Sequence, residues 1–482
     1  QPTDKVRKKF PWLQVCDRVA TQQRFFHWEL EFASVFAEGG FDFQIGNPPW
    51  VRPNVVEADL LAEGDPWWHL TSGAKAAEVE EKRRITLELP GIADLVVDES
   101  AATESQAAFM RSTELYPLIG GLRPDTYRCF MEQTWRDAGP DGIISLIHPE
   151  SHFTDTKAGP LRQATYSRLR RHWQFINEKM LFPENDDKMT FGVHVYGHAK
   201  GEPEFLQAVS LYVPETVDGS LRHNGEGEEP GIKNREGNWD TAAHRDRIIT
   251  VDQNVLELWH GIVGDDSNAA RGTPMAYTVN RSLEDVLGRV GASKRFSSLN
   301  PRFSGGWNET TDRTGGMFDH GWGTPNSWED AILKGVHLYV GNPSFKYPNE
   351  TMKHNQDWSD VDLELLAADE IPVTPYKPVA STGVYDTRYT DWGTDGESDP
   401  ARDHYRLAFR TMAANTGERT LISAIIPPGA AHIDNVTAVG FHSPADLLTA
   451  SSFAFSLLAD LVVRSSPKSK VLRGTVERLP IV

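Results

Sequence analysis

The sequence predicts an α/β chain: part of an open, doubly wound sheet over residues 1–200, followed by a mixed α+β region. Three stretches carry this reading. The apolar run Phe41 to Ile45 ends in Gly46-Asn47-Pro48-Pro49-Trp50. An amphipathic helical pattern from Asp125 leads through Gly139-Pro140 and Asp141-Gly142 into the apolar run Ile143 to Ile147. A helix from about Leu161 to His172, a strand at Gln174 to Ile176 and an alternating strand at Thr190 to Val195 then close the half. Strands that alternate with helices imply a parallel sheet, with ligands at the carboxyl ends of the strands.

The totals agree with more than one domain. At 482 residues the chain exceeds the roughly 250 to 300 at which single cores stop growing. Asp plus Glu (68) outnumber Lys plus Arg (49), a net charge of −19 that gives no global attraction to phosphate, so any nucleic-acid contact must be local. Two distant cysteines, Cys16 and Cys129, argue against a disulfide framework and fit a reducing cytoplasm. Neither a signal-peptide pattern nor an apolar run of the roughly 18 residues that a membrane helix needs is present.

Asn47 to Trp50 have the chemistry of a site. Two prolines after a strand fix φ, remove two N–H groups and stop the ladder in a stiff, extended turn. The Asn47 amide oxygen and the Pro48 carbonyl are two acceptors for the hydrogens of one exocyclic amine. Trp50 adds a π-face on which an extruded base can stack.

This Gly-Asn-Pro-Pro-aromatic motif resembles motif IV of the amino-methylating, S-adenosylmethionine-dependent DNA methyltransferases, in which Asn is typical of N6-adenine enzymes. The flanks resemble the large methylases of restriction-modification and phage-defence systems (type IIG-like, BREX- or DISARM-like): a Phe-His-Trp-x-Leu-x-Phe run, Val-Phe and Gly-Phe-Asp stand in order from Phe26 to Trp50. Tyr127-x-x-Phe130, Asp141-Gly142 with the strand to Pro149, and Phe182-Pro183 resemble motifs V to VIII. The resemblance implies a partial class I, Rossmann-like methyltransferase sheet. It gives catalysis to Asn47, Pro48, Pro49 and Trp50, and base stacking to Trp50 with Phe182 opposite.

One expected element is missing. A glycine-rich turn for S-adenosyl-L-methionine should precede motif IV, and residues 1–46 contain none. The expectation is that an N-terminal cofactor-binding half lies upstream or on a partner chain. Between the motifs, the polar, Glu-rich stretch at about 54–110 reads as a solvated helical insert.

Residues 214–247 are rich in Gly, Glu, Asn and Asp, and 201–247 read as a linker or loop, with a target-recognition domain over 248–482. Arg and Asn can pair with base edges and aromatics can stack, which makes Arg302, Arg410, Asn415 and Arg419 the DNA-contact candidates; Arg410 and Arg419 also suit surface salt bridges. Gly341-Asn342-Pro343-Ser344-Phe345 echoes motif IV with Ser in place of the second proline and reads as a turn. A helix capped by Ser443 carries Leu447 to Leu461, and Lys468, Lys470, Arg473 and Arg478 follow as a solvated basic tail. His148 with His152, and His194 with His198, lack a third ligand and read as structural, so no metal site is expected.

The expected function is site-specific adenine-N6 methylation of double-stranded DNA, in a bacterial or archaeal cytoplasm and without a membrane. N4-cytosine methylation and a catalytically silent DNA-binding specificity module remain open.

Overall fold

The computed structural model describes residues 3–264, 268–352, 357–394, 396–414, 417–466 and 470–481. The chain is mixed α/β, and its largest sheet has six strands, with both parallel and antiparallel pairings. It divides into two compact units: residues 1–148, 168–170 and 193–200 form the first, and 149–167, 171–192 and 201–482 the second.

In the first unit, the run Phe26 to Phe32, ambiguous by its alternation, contains the short helix Trp28–Glu31. Trp28 and Phe32, four apart, stack with centroids 5.6 Å apart, and Phe32 meets Phe41 edge-on at 5.2 Å, which favours the helical turn over an extended run. Gly39 and Gly40 then turn the chain at φ 105° and 116° into β1 (Phe41–Gly46). A Cβ on Gly40 would lie 2.6 Å from the Asp137 carbonyl oxygen, so only glycine fits that approach.

β1 runs parallel to β2 (Ala138–Pro149), with Phe43 opposite Ile143 and Gly46 opposite Leu146. Among the described residues β1 pairs with β2 alone. Phe43 and Ile45 are 60% and 75% exposed, so this apolar run is a solvent-facing edge among the described residues. Before β2 stands the helix Thr126–Asp137, with Tyr127, Met131 and Cys129 on its buried face.

The insert is helical, as its composition suggests: Glu57–Ala62, Trp67–Leu70, Ala76–Leu87 and Ile92–Met110. Leu61 and Ile92 are buried within it, and Arg83 grips the Glu57 carboxylate through Nε at 2.9 and 3.0 Å. The His148 and His194 rings lie face to face at 3.8 Å in the core, and His148 Nε2 meets the Tyr196 hydroxyl at 2.8 Å.

In the second unit, β3 (Leu169–Ile176, from Arg171 onward) runs parallel to β5 (Glu204–Leu211), which pairs antiparallel with β6 (Ile249–Asp252); between β3 and β5 in sequence lies β4 (Thr190–Tyr196). β5 and the helix Glu215–Arg222 correct the linker expectation for 201–247. The buried alternation Phe205, Gln207, Val209, Leu211 was masked by the polar composition of the residues after it. The expected helix to His172 also ends early, at Arg168, where β3 begins.

The helices Gln253–Val263 and Arg281–Gly291 follow, capped by Asp252 and Asn280. An antiparallel sheet then orders 423–426, 406–410, 436–440 and 302–304 side by side. Trp307, Phe318, Ile332, Tyr376 and Tyr385 fill one core beside it, and Leu333, Leu338, Ala424 and Ile426 another. Ser443 caps the helix Pro444–Ala454 as its sequence predicts, but that helix ends at Ala454 and Ser456 caps a second one, Leu457–Arg464. Among the described residues no single helix is long and apolar enough to cross a membrane.

Candidate functional site

The Asn47–Trp50 turn sits at the carboxyl end of β1, where the parallel ladder to β2 stops after Gly46. Two prolines at this point cannot donate to β2, so the chain leaves the sheet. Its backbone is then held from both sides. Trp50 Nε1 donates to the Ile147 carbonyl at 3.3 Å, tying the indole to the neighbouring strand. The Gln44 side chain donates to the Thr134 carbonyl at 2.9 Å, fixing β1 on the last turn of the helix behind it.

The first turn of that helix makes the second attachment. Thr126 Oγ1 lies 2.5 Å from the Pro49 carbonyl oxygen and accepts from the Val51 amide at 3.1 Å. The Thr126 amide donates to the Val51 carbonyl at 3.0 Å. Next to it, Arg52 Nε donates to Asp125 Oδ2 at 2.9 Å, with the Asp125 carboxylate almost wholly buried.

Pro48 is buried and Asn47 exposed. Among the described residues no hydrogen bond reaches the Asn47 side-chain amide or the Pro48 carbonyl. The turn thus presents two adjacent open acceptors and one aromatic ring on a fixed backbone, a geometry suited to an N–H₂ group attached to a flat ring. On the helix behind the turn, burial pushes the Cys129 thiol up to about 12.

Phe182 lies in the second unit. Its amide donates to Asn177 Oδ1 and its carbonyl accepts from Asn177 Nδ2, both at 2.9 Å, and its ring meets Phe191 edge-on at 4.8 Å. Phe191 itself is buried, as a core residue would be. In the same unit Glu150 and His172 form a buried pair that the sequence pattern did not single out, and Gln207 reaches His172 Nδ1 at 3.3 Å.

The four DNA-contact candidates have different surroundings. Arg302 donates to Asp399 at 2.5 Å and covers the Trp392 ring at 4.5 Å; with His404, which contributes most, it holds the Asp399 carboxyl below the usual range. Arg419 donates from Nη2 to the Phe455 and Ser456 carbonyls at 3.0 and 3.1 Å and stands beside Asp460, so its guanidinium is engaged inside the fold. Asn415 lies outside the described residues. Arg410 ends the strand Arg406–Arg410 with no acceptor for its guanidinium among the described residues, and burial alone lowers its pKa.

The motif echo at Gly341 to Phe345 is a turn. Asn342 Oδ1 accepts from the Ser344 amide at 2.6 Å, which consumes the oxygen that Asn47 leaves open.

Sequence reasoning missed Asp125 and Thr126 as partners of the site. Their only local signal was a helix start, since a sequence separation of 77 between Pro49 and Thr126 hides the contact.

Comparison with known proteins follows the same stretch. Residues 5–68, which contain the Asn47–Trp50 turn, match the model of the Eco57I restriction-modification methylase. No curated protein matches the chain. Among solved structures, the type IIG restriction endonuclease BpuSI aligns at 12% identity over 92% of this chain and 46% of its own, with a TM-score of 0.28. The type IIL restriction-modification enzyme MmeI, solved in complex with DNA, aligns at 9% identity over 90% of this chain and 52% of its own, with a TM-score of 0.32. The chain therefore spans about half the length of these two proteins.

Proposed function

We propose that the chain is the base-holding and target-recognition part of a site-specific DNA adenine-N6 methyltransferase of restriction-modification or phage defence. The observation that carries this reading is the open acceptor pair of Asn47 and Pro48 at a strand end, beside the tethered ring of Trp50. The match of residues 5–68 to a restriction-modification methylase supports the same class.

In this reading the target adenine leaves the duplex and stacks on Trp50. The Asn47 amide oxygen and the Pro48 carbonyl accept its two amine hydrogens, which orients the nitrogen lone pair and stabilises positive charge as it develops there. The stacking role that the resemblance gives Phe182 belongs to the same proposal. Of the three candidate arginines, Arg410 is the one proposed to meet a phosphate or base edge, because no carboxylate competes for it among the described residues.

S-adenosyl-L-methionine supplies the methyl group in this class, and neither β1 nor β2 leads into a glycine turn that would hold it. β2 is followed by Glu150 and the short helix Ser151–Thr154 without a glycine turn, and β1 by the two prolines. The cofactor cradle is therefore assigned to polypeptide outside these residues, upstream or on a partner chain. The solvent-facing Phe43 and Ile45 and the open edge of β1 support this, since a further strand there would cover both.

The test is direct. The assembled enzyme is incubated with duplex DNA and methyl-labelled cofactor, and the DNA is digested to nucleosides. Label in N6-methyladenine is expected; label in N4-methylcytosine, or none, rejects the adenine reading. Asn47→Ala should abolish turnover while leaving DNA binding within a few-fold, since Asn47 acts chiefly in the transition state.

A further inference from the structure

We propose that Thr126 is a positioning residue for the acceptor pair, holding the Asn47–Trp50 turn in register through its side-chain hydroxyl; this rests on the function proposed above. Thr126 opens the helix Thr126–Asp137, where backbone amides lack partners within the helix. One of these amides, its own, goes to the Val51 carbonyl at 3.0 Å. The hydroxyl does the rest. It accepts from the Val51 amide at 3.1 Å and has one hydrogen to give, for which the Pro49 carbonyl at 2.5 Å is nearer than the Val51 carbonyl at 3.0 Å.

The consequence falls on Pro48. With the Pro49 carbonyl taken by Thr126, the backbone oxygen that the turn leaves open beside Asn47 is that of Pro48, and its direction is set because the next peptide is pinned. Asp125 extends the clamp by one residue through Arg52. Two consecutive residues at a helix start thereby hold Pro49, Val51 and Arg52.

These contacts lie at the exposed rim and not in the core. Water can replace the lost hydroxyl there, so removing it should cost little stability while freeing the turn to shift. Thr126 differs in this from a residue that merely holds the fold.

The experiment compares Thr126→Val, which keeps the shape without the hydroxyl, with Thr126→Ser, which keeps the hydroxyl. In the assembled enzyme Thr126→Val should lower kcat by about 100-fold, as expected for a small misplacement of a reacting group, with KM for DNA within threefold. Thr126→Ser should restore kcat to within threefold of the parent. Hydrogen exchange over the peptide containing Val51 should quicken in the Val variant and not in the Ser variant. A Val variant with parental kcat, a Ser variant without rescue, or unchanged exchange in the Val variant overturns the proposal. If the parent enzyme methylates no DNA amine, the proposed function falls, and unchanged exchange or faster exchange still decides whether the clamp exists.

Discussion

The indole nitrogen of Trp50 donates to the carbonyl of Ile147 at 3.3 Å, across the gap between two parallel strands. A stacking ring held at one edge keeps its face at a fixed angle. Trp50→Phe should therefore retain most turnover, within about tenfold, because the ring stays and one hydrogen bond worth about 0.5–1.5 kcal/mol goes. Trp50→Ala should lose about 1–3 kcal/mol of base stacking as well. Fluorescence of 2-aminopurine at the target position checks both, with an intermediate signal for Phe and loss of the extruded-base signal for Ala.

Gly40 makes a different demand. Its φ of 116° and the Asp137 carbonyl 2.6 Å from any added Cβ leave no room for alanine. Gly40→Ala should destabilise the first unit by about 1–3 kcal/mol, through backbone strain at the entry to β1. Denaturant melts of the parent and the variant would show a lower midpoint with an unchanged slope.

Arg410 and Arg419 should separate cleanly. Arg410→Met removes a desolvated charge that has no acceptor among the described residues, so stability should hold or rise slightly, while DNA affinity falls and the slope of log affinity against log salt flattens by about 0.9. Arg419→Met leaves the Phe455 carbonyl without its donor, the Ser456 carbonyl with the Asp460 amide alone and Asp460 without its neighbouring guanidinium, and should cost about 1–3 kcal/mol of stability. Salt titrations of DNA binding and thermal melts on both variants check this pair. An unchanged salt slope in Arg410→Met would remove Arg410 from the DNA surface.

His337 sets an acid limit. Its Nδ1 accepts from the Lys334 amide at 2.8 Å and its Nε2 faces the Val373 carbonyl at 3.0 Å, an arrangement that needs the neutral ring protonated at Nε2. Burial brings its pKa down to about 4. Between about 6.5, the ordinary value, and 4 the unfolded chain takes up a proton that the folded chain refuses, so stability falls as pH falls through that window. His337→Gln should flatten the dependence of Tm on pH between about 6.5 and 4 while lowering Tm at neutral pH.

How much of this was legible in the sequence differs by element. The Asn47-Pro48-Pro49-Trp50 turn declared itself, because proline's fixed φ and missing N–H act locally and the acceptors are adjacent residues. The helix Thr126–Asp137 and the cap at Ser443 declared themselves for the same reason. β5 did not, since its neighbours β3 and β6 are remote in sequence and the polar residues that follow it dominated the composition.

The sequence by itself determined the chemistry of the turn: two acceptors, two rigid prolines and a ring, in an order set by covalent geometry. Tertiary structure decided which of its groups are spent and which are open. The Pro49 carbonyl goes to Thr126 and the Trp50 nitrogen to Ile147, while the Asn47 side chain and the Pro48 carbonyl are left without a hydrogen-bond partner among the described residues. The same division holds for the arginines, where Arg302 and Arg419 look no different from Arg410 until Asp399 and the Phe455 and Ser456 carbonyls are found beside them. Hydrogen-bond partners are chosen in space, and residues tens of positions apart in the chain carry no mark of the pairing.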